Sequence, residues 1–66
     1  MLVKVNGSVC ELPDDFSIQQ LIALKNLSGN SFLVDLNRNL VPYQDWGNTR
    51  LKPDDVVEFI RILGGG

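Results

Sequence analysis

The chain has no histidine and one cysteine, Cys10, in 66 residues. Without an imidazole there is no His general base and no Ser–His or Cys–His nucleophile pair, and most zinc sites are excluded. A lone cysteine rules out an internal disulfide and any multi-cysteine metal site. Cys10 falls in a predicted strand with no neighbouring cation in sequence, which fits a small buried hydrophobe better than a reactive thiol. Positive charge is also scarce. The six basic residues, Lys4, Lys25, Arg38, Arg50, Lys52 and Arg61, are scattered, and the formal net charge is −2. No nucleic-acid partner is expected from that pattern. No apolar run approaches the ~18 residues needed to cross a bilayer, so no membrane partner is expected. The N-terminus lacks the charged and apolar regions of a signal peptide, which makes the cytoplasm the expected compartment.

At this length the chain makes one domain and buries only about 60 % of its unfolded surface. That leaves no room for a substrate cleft beside a core, so the chain is not expected to be an enzyme. The hydrophobic fraction of 44 % is ordinary for a globular fold and argues against disorder.

Local signals then mark the elements. Leu2-Val3-Lys4-Val5 alternates, Asn6-Gly7 is the dipeptide favoured in tight hairpins, and Ser8 to Leu12 resumes extended structure. Pro13-Asp14-Asp15 interrupts it. Ser17-Ile18-Gln19-Gln20 has the form of a capping box, opening a helix with Ile18, Leu21 and Ile22 on one face and Leu24 and Leu27 adding apolar content. Ser28-Gly29-Asn30 is expected to end that helix, with Gly29 in a left-handed C-cap. Phe32 to Leu36 predicts a third strand, closed by the polar turn Asn37-Arg38-Asn39. Leu40-Val41 is expected to pair briefly before Pro42 stops it. Tyr43 to Gly47 predicts an irregular or short helical turn, and Thr49-Arg50-Leu51 a short edge strand.

Lys52-Pro53-Asp54-Asp55 is turn chemistry, and both it and Asp14-Asp15 suit turns better than metal sites. Val56 to Leu63 is the last and most apolar strand. One amphipathic helix must cover one face of a small mixed sheet, because neither buries its apolar surface alone. A helix carrying the chain from the hairpin to a neighbouring parallel strand is expected to cross right-handed. Trp46 is expected in the core rather than at an interface.

The chain finishes in Gly64-Gly65-Gly66. Residues 1–63 are expected to form the folded domain and residues 64–66 a flexible tail. Glycine is costly to order and offers no side chain to bury, but it supplies a thin, flexible backbone. Extended, Leu63 to Gly66 reaches roughly 10 Å, enough to enter a narrow site on another protein. By alternation, Val57 and Phe59 in the last strand should face the helix, leaving Glu58, Ile60 and Ile62 opposite. Ile60, Ile62 and Leu63 would then form an apolar docking patch beside the tail.

Hairpin, helix, strands and a terminal Gly-Gly resemble the α+β β-grasp fold of ubiquitin and the bacterial sulfur carriers. Within that group the chain most resembles the ThiS family, on the Asn6-Gly7 hairpin, Leu36-Asn37 followed by Val41-Pro42 and Trp46, and the terminal glycines. It departs from the family's pattern at Tyr43, where a basic residue is common, and at Asp54-Asp55, where Gly-Asp is common. The resemblance implies a mixed sheet of four to five strands with one main helix across it.

The resemblance further implies that the Gly66 carboxylate carries sulfur. A carboxylate is a poor electrophile, so an E1-like adenylyltransferase of the ThiF type, using ATP and Mg²⁺, would convert it to an acyl-adenylate. The chain itself would bind no cofactor. A persulfide from a cysteine desulfurase or another sulfur donor would follow, giving a thiocarboxylate that a thiazole synthase of the ThiG type consumes. Gly64 and Gly65 would thread the partner's active site. Three alternatives share the terminal glycines: a sulfur carrier for molybdopterin or tRNA thiolation, a ubiquitin-like modifier joined through Gly66, and a non-covalent β-grasp module with an inert tail.

Overall fold

The structure, a computed structural model, describes residues 1–27 and 31–62. Its elements are β1 (Leu2–Val5), β2 (Ser8–Glu11), α1 (Ile18–Leu24), β3 (Phe32–Leu36), β4 (Asn39–Leu40), a 3₁₀ turn (Tyr43–Asp45) and β5 (Val56–Arg61). The strands form one mixed sheet in the order β2-β1-β5-β3-β4. β5 runs parallel to β1 and antiparallel to β3.

The opening hairpin forms as expected. Asn6 and Gly7 take φ of 50° and 86°, the two positive values that match a two-residue turn to the twist of its strands. Val3 and Val5 point to the helix side and Leu2 and Lys4 away from it, so the alternation of this strand sets its faces.

Helix α1 starts as the sequence predicts. The Ser17 hydroxyl accepts the Gln20 N–H at 3.0 Å while the Gln20 side chain accepts the Ser17 N–H at 2.9 Å. The two remaining free donors of the first turn, Ile18 N–H and Gln19 N–H, reach the carbonyls of Thr49 and Trp46. This accounts for the donors that a helix start leaves unpaired. It also explains a correction. The edge strand expected at Thr49 to Leu51 is reduced to a single bridge between Arg50 and Ser17, because this segment's carbonyls cap the helix instead of joining the sheet.

The helix ends earlier than expected. Its last residue is Leu24, and Asn26 takes the left-handed conformation with φ 59°. Asn26 N–H bonds to Ala23 O and Leu27 N–H to Ile22 O, the paired bonds of a Schellman ending. Asparagine tolerates positive φ, and ending here lets Leu27 turn back onto the core while Leu24 stays exposed. Gly29, the expected cap, lies outside the described residues.

Other differences are smaller. The strand after the helix is not a neighbour of the hairpin, because β5 lies between β1 and β3. The brief pairing expected at Leu40-Val41 falls at Asn39–Leu40, with Val41 N–H adding a bond to Val34 O. β5 ends at Arg61, although Ile62 N–H still bonds to Ser31 O. The Lys52–Asp55 turn forms, with Asp54 at φ 70° occupying a position that usually favours glycine. Cys10 is half-buried in β2, on the core side opposite Val3.

The core lies between α1 and one face of the sheet. Ile18, Leu21 and Ile22 meet Val3, Val5, Val34 and Val57, with Leu12, Trp46 and Leu51 closing the margins. No helix among the described residues is long and apolar enough to cross a membrane.

Ser17 is 5 % exposed, so replacing its hydroxyl strands a shielded donor. Ser17→Ala is expected to lower stability by about 1 kcal/mol, measured as a shift in urea midpoint at unchanged slope.

Candidate functional site

The site is built where β5 leaves the sheet. Val57 is fully buried and Phe59 half-buried against the helix side. Ile60 and Ile62 are 45 % and 51 % exposed on the opposite face. The structure therefore places both predicted side chains on an open apolar surface. Leu63, Gly64, Gly65 and Gly66 lie outside the described residues.

Two further members of that surface were not singled out from sequence. Leu33 lies directly across the ladder from Ile60, and Leu40 stands opposite Asp35 from the far side of β3. Both are exposed. In Phe32-Leu33-Val34 every residue is apolar, so the alternation that would have revealed the outward leucine is hidden. Beside them a groove of about 390 Å³ runs along β3, lined in part by Phe32, Leu33, Val41, Tyr43, Trp46 and Ile62. Pro42 turns the chain away after two paired residues of β4, leaving this stretch of β3 uncovered.

Side-chain hydrogen bonds hold β5 from both sides. The Asn6 Oδ1 accepts the Phe59 N–H at 2.9 Å, continuing the β1 side of the ladder where the hairpin has already turned away. On the other side, Asn37 Oδ1 accepts the Val56 N–H at 2.9 Å and its Nδ2 donates to Asp55 Oδ1 at 3.0 Å. Asn37 and Arg38 both have positive φ. The β3–β4 turn is thus a second tight hairpin turn, formed without glycine.

Trp46 is 4 % exposed and belongs to the core, as expected. Its indole N–H donates to Val41 O at 3.0 Å. Phe32 stacks on it with centroids 5.3 Å apart, and Tyr43 meets it edge-on at 4.9 Å. The Leu36-Asn37, Val41-Pro42 and Trp46 pattern therefore has a physical account. Asn37 ties the β3–β4 turn to the start of β5, Val41 supplies the acceptor for the indole, and Pro42 diverts the chain toward the aromatic. Tyr43 is exposed on the rim of the groove.

A helix packed across a mixed sheet, with the final strand between the first and third, defines a β-grasp protein. The sequence profile of the ThiS family matches residues 3–66, and the chain belongs to that family. It is similar over its whole length to the crystal structure of thiamine biosynthesis protein ThiS from Geobacter metallireducens. That likeness has a TM-score of 0.86 at 29 % identity and covers 100 % of both chains. A solution structure of a thiamine biosynthesis protein from the same organism gives a TM-score of 0.77 at 25 % identity, covering 100 % of this chain and 88 % of the other. The uncharacterized protein ycf40 of Porphyra purpurea is 27 % identical over 64 residues, which cover 97 % of this chain and 90 % of that protein.

Asn37→Gly keeps the positive φ but removes both side-chain bonds to residues 55 and 56. It is expected to cost about 1–2 kcal/mol, with amide exchange at Val56 accelerated more than at Val3.

Proposed function

We propose that this chain is a sulfur carrier protein in the thiazole branch of thiamine biosynthesis. The observation that carries this reading is the ThiS family match, which runs through Gly66. The exposed Ile60 and Ile62 on the strand leading to the glycines support it. The chain acts as a protein co-substrate, and the ionisable and nucleophilic work belongs to its partners.

The chemistry follows from the carboxylate. ThiF-type adenylation joins the Gly66 carboxylate to AMP and releases pyrophosphate, which converts an unreactive oxide into a good leaving group. A persulfide sulfur then attacks the carbonyl and expels AMP. A thiol cleaves the resulting S–S bond, leaving the thiocarboxylate on Gly66 and a disulfide elsewhere. Glycine at this position leaves the carbonyl uncrowded by any Cβ, and Gly64 and Gly65 let the chain pass a constriction that side chains would block. The thiocarboxylate sulfur is a soft nucleophile suited to attack within a ThiG-type thiazole synthase, and its delivery regenerates the carboxylate.

Because glycines give a partner little to recognise, specificity falls to the folded body. Ile60 and Ile62, extended by Leu33 and Leu40 and continued toward Leu63, form an apolar surface of the kind that anchors interfaces.

Intact mass after incubation with a ThiF-type adenylating enzyme, ATP and a cysteine desulfurase tests the reading. The expected result is a gain equal to one oxygen replaced by sulfur, located at Gly66 and reversed by hydrolysis. An unchanged mass with active partners refutes it, and a product joined to lysine would identify a protein modifier. Removing Gly66 should abolish the mass gain without changing thermal stability. Ile60→Asp is expected to weaken binding to the adenylating enzyme by about tenfold or more. Its melting temperature should change little because the side chain lies on the open face.

A further inference from the structure

The open face carries an acidic pair that the fold itself does not use. Asp35 and Glu58 are directly opposite each other in the β3–β5 ladder, where like charges disfavour pairing. Asp35 accepts the Arg38 N–H at 3.1 Å. Among the described residues neither carboxylate forms an ion pair. Lys4 lies on the same face beside Val56, and Arg38 borders the same depression, yet neither closes on the pair.

The surroundings of the pair are apolar. Leu33 and Ile60 form the next rung of the ladder, about 7 Å along the strands. Leu40 flanks Asp35 from β4, and Val56 lies two residues before Glu58. These four side chains are 40–61 % exposed. Two unpaired carboxylates thus sit at the centre of an exposed apolar ring, and the ring is continuous with Ile62 where the strand heads for the tail. An interface anchor has this composition: a charged contact at the centre, with apolar neighbours that exclude water around it.

We infer that this face docks a protein surface that places an arginine between Asp35 and Glu58, and that this surface belongs to the adenylating enzyme. Charge complementarity selects the occupant. A guanidinium presents five donors in a planar fork that can bond both carboxylates and relieve their repulsion, while its flat face tolerates the apolar ring. The net charge of −2 on the chain favours the same sign of partner. The inference rests on the carrier reading, and it assigns the acidic pair a recognition role that the apolar patch alone lacks.

The test uses the full chain with the ThiF-type adenylating enzyme of the same organism. Affinity is measured by calorimetry at low and high salt for the wild type, Glu58→Gln, and Asp35→Asn with Glu58→Gln. Both substitutions keep shape, and asparagine still accepts the Arg38 N–H. The double variant is expected to bind about fivefold or more weakly at low salt and to lose most of the salt dependence. Its melting temperature should be equal or higher, because a like-charge repulsion has been removed. Affinity loss and stability gain then have opposite signs, which general damage to the fold does not produce. Unchanged affinity and salt dependence in both variants would overturn the inference and leave the carrier reading intact. A wild-type chain that neither binds the enzyme nor gains sulfur would overturn both.

Discussion

The pairing of β5 with both β1 and β3 is the constraint on which the rest depends. Val57, in this strand, has no exposed surface and touches the core that every other element helps to build. Its neighbours come from opposite ends of the chain, so the sheet closes only when residues 2–5 meet residues 56–61. Local elements such as the hairpin and helix can form early, but they gain their shared core only once this long-range pairing is made. Asn6 and Asn37 reinforce it where regular strand neighbours run out. Each is a turn residue at positive φ whose side chain also hydrogen-bonds the β5 backbone.

That double use explains what could be read from the sequence and what could not. The Asn6-Gly7 turn, the Ser17–Gln20 capping box and the Lys52–Asp55 turn depend on a few adjacent residues, and each formed where its local chemistry indicated. The helix end was less legible because Asn26 and Gly29 can both stop a helix; the packing of Leu27 onto the core favours the earlier one. Thr49 to Leu51 has strand composition, but its role is set by the unpaired donors of a helix some thirty residues away. The position of β5 between β1 and β3 has no local signature at all. It followed only from the likeness to the β-grasp fold.

The candidate site divides along the same line. Alternation along β5 sufficed to put Ile60 and Ile62 on the open face. Leu33, Leu40 and the opposition of Asp35 to Glu58 needed the register between strands, which no single segment contains. The core packing of Trp46 was legible from the size of the chain. Its link to Val41 was not, because that bond exists only after Pro42 has redirected the backbone.

The placement of β5 also has a mechanical side. A partner that draws the end of the chain into its own site pulls along the axis of this strand. Inter-strand bonds lie across that axis, so the two ladders are loaded in shear and many bonds resist together. An edge strand peeled from its sheet would instead lose its bonds one after another. The strand that presents the tail is therefore the one the fold holds most firmly against being pulled.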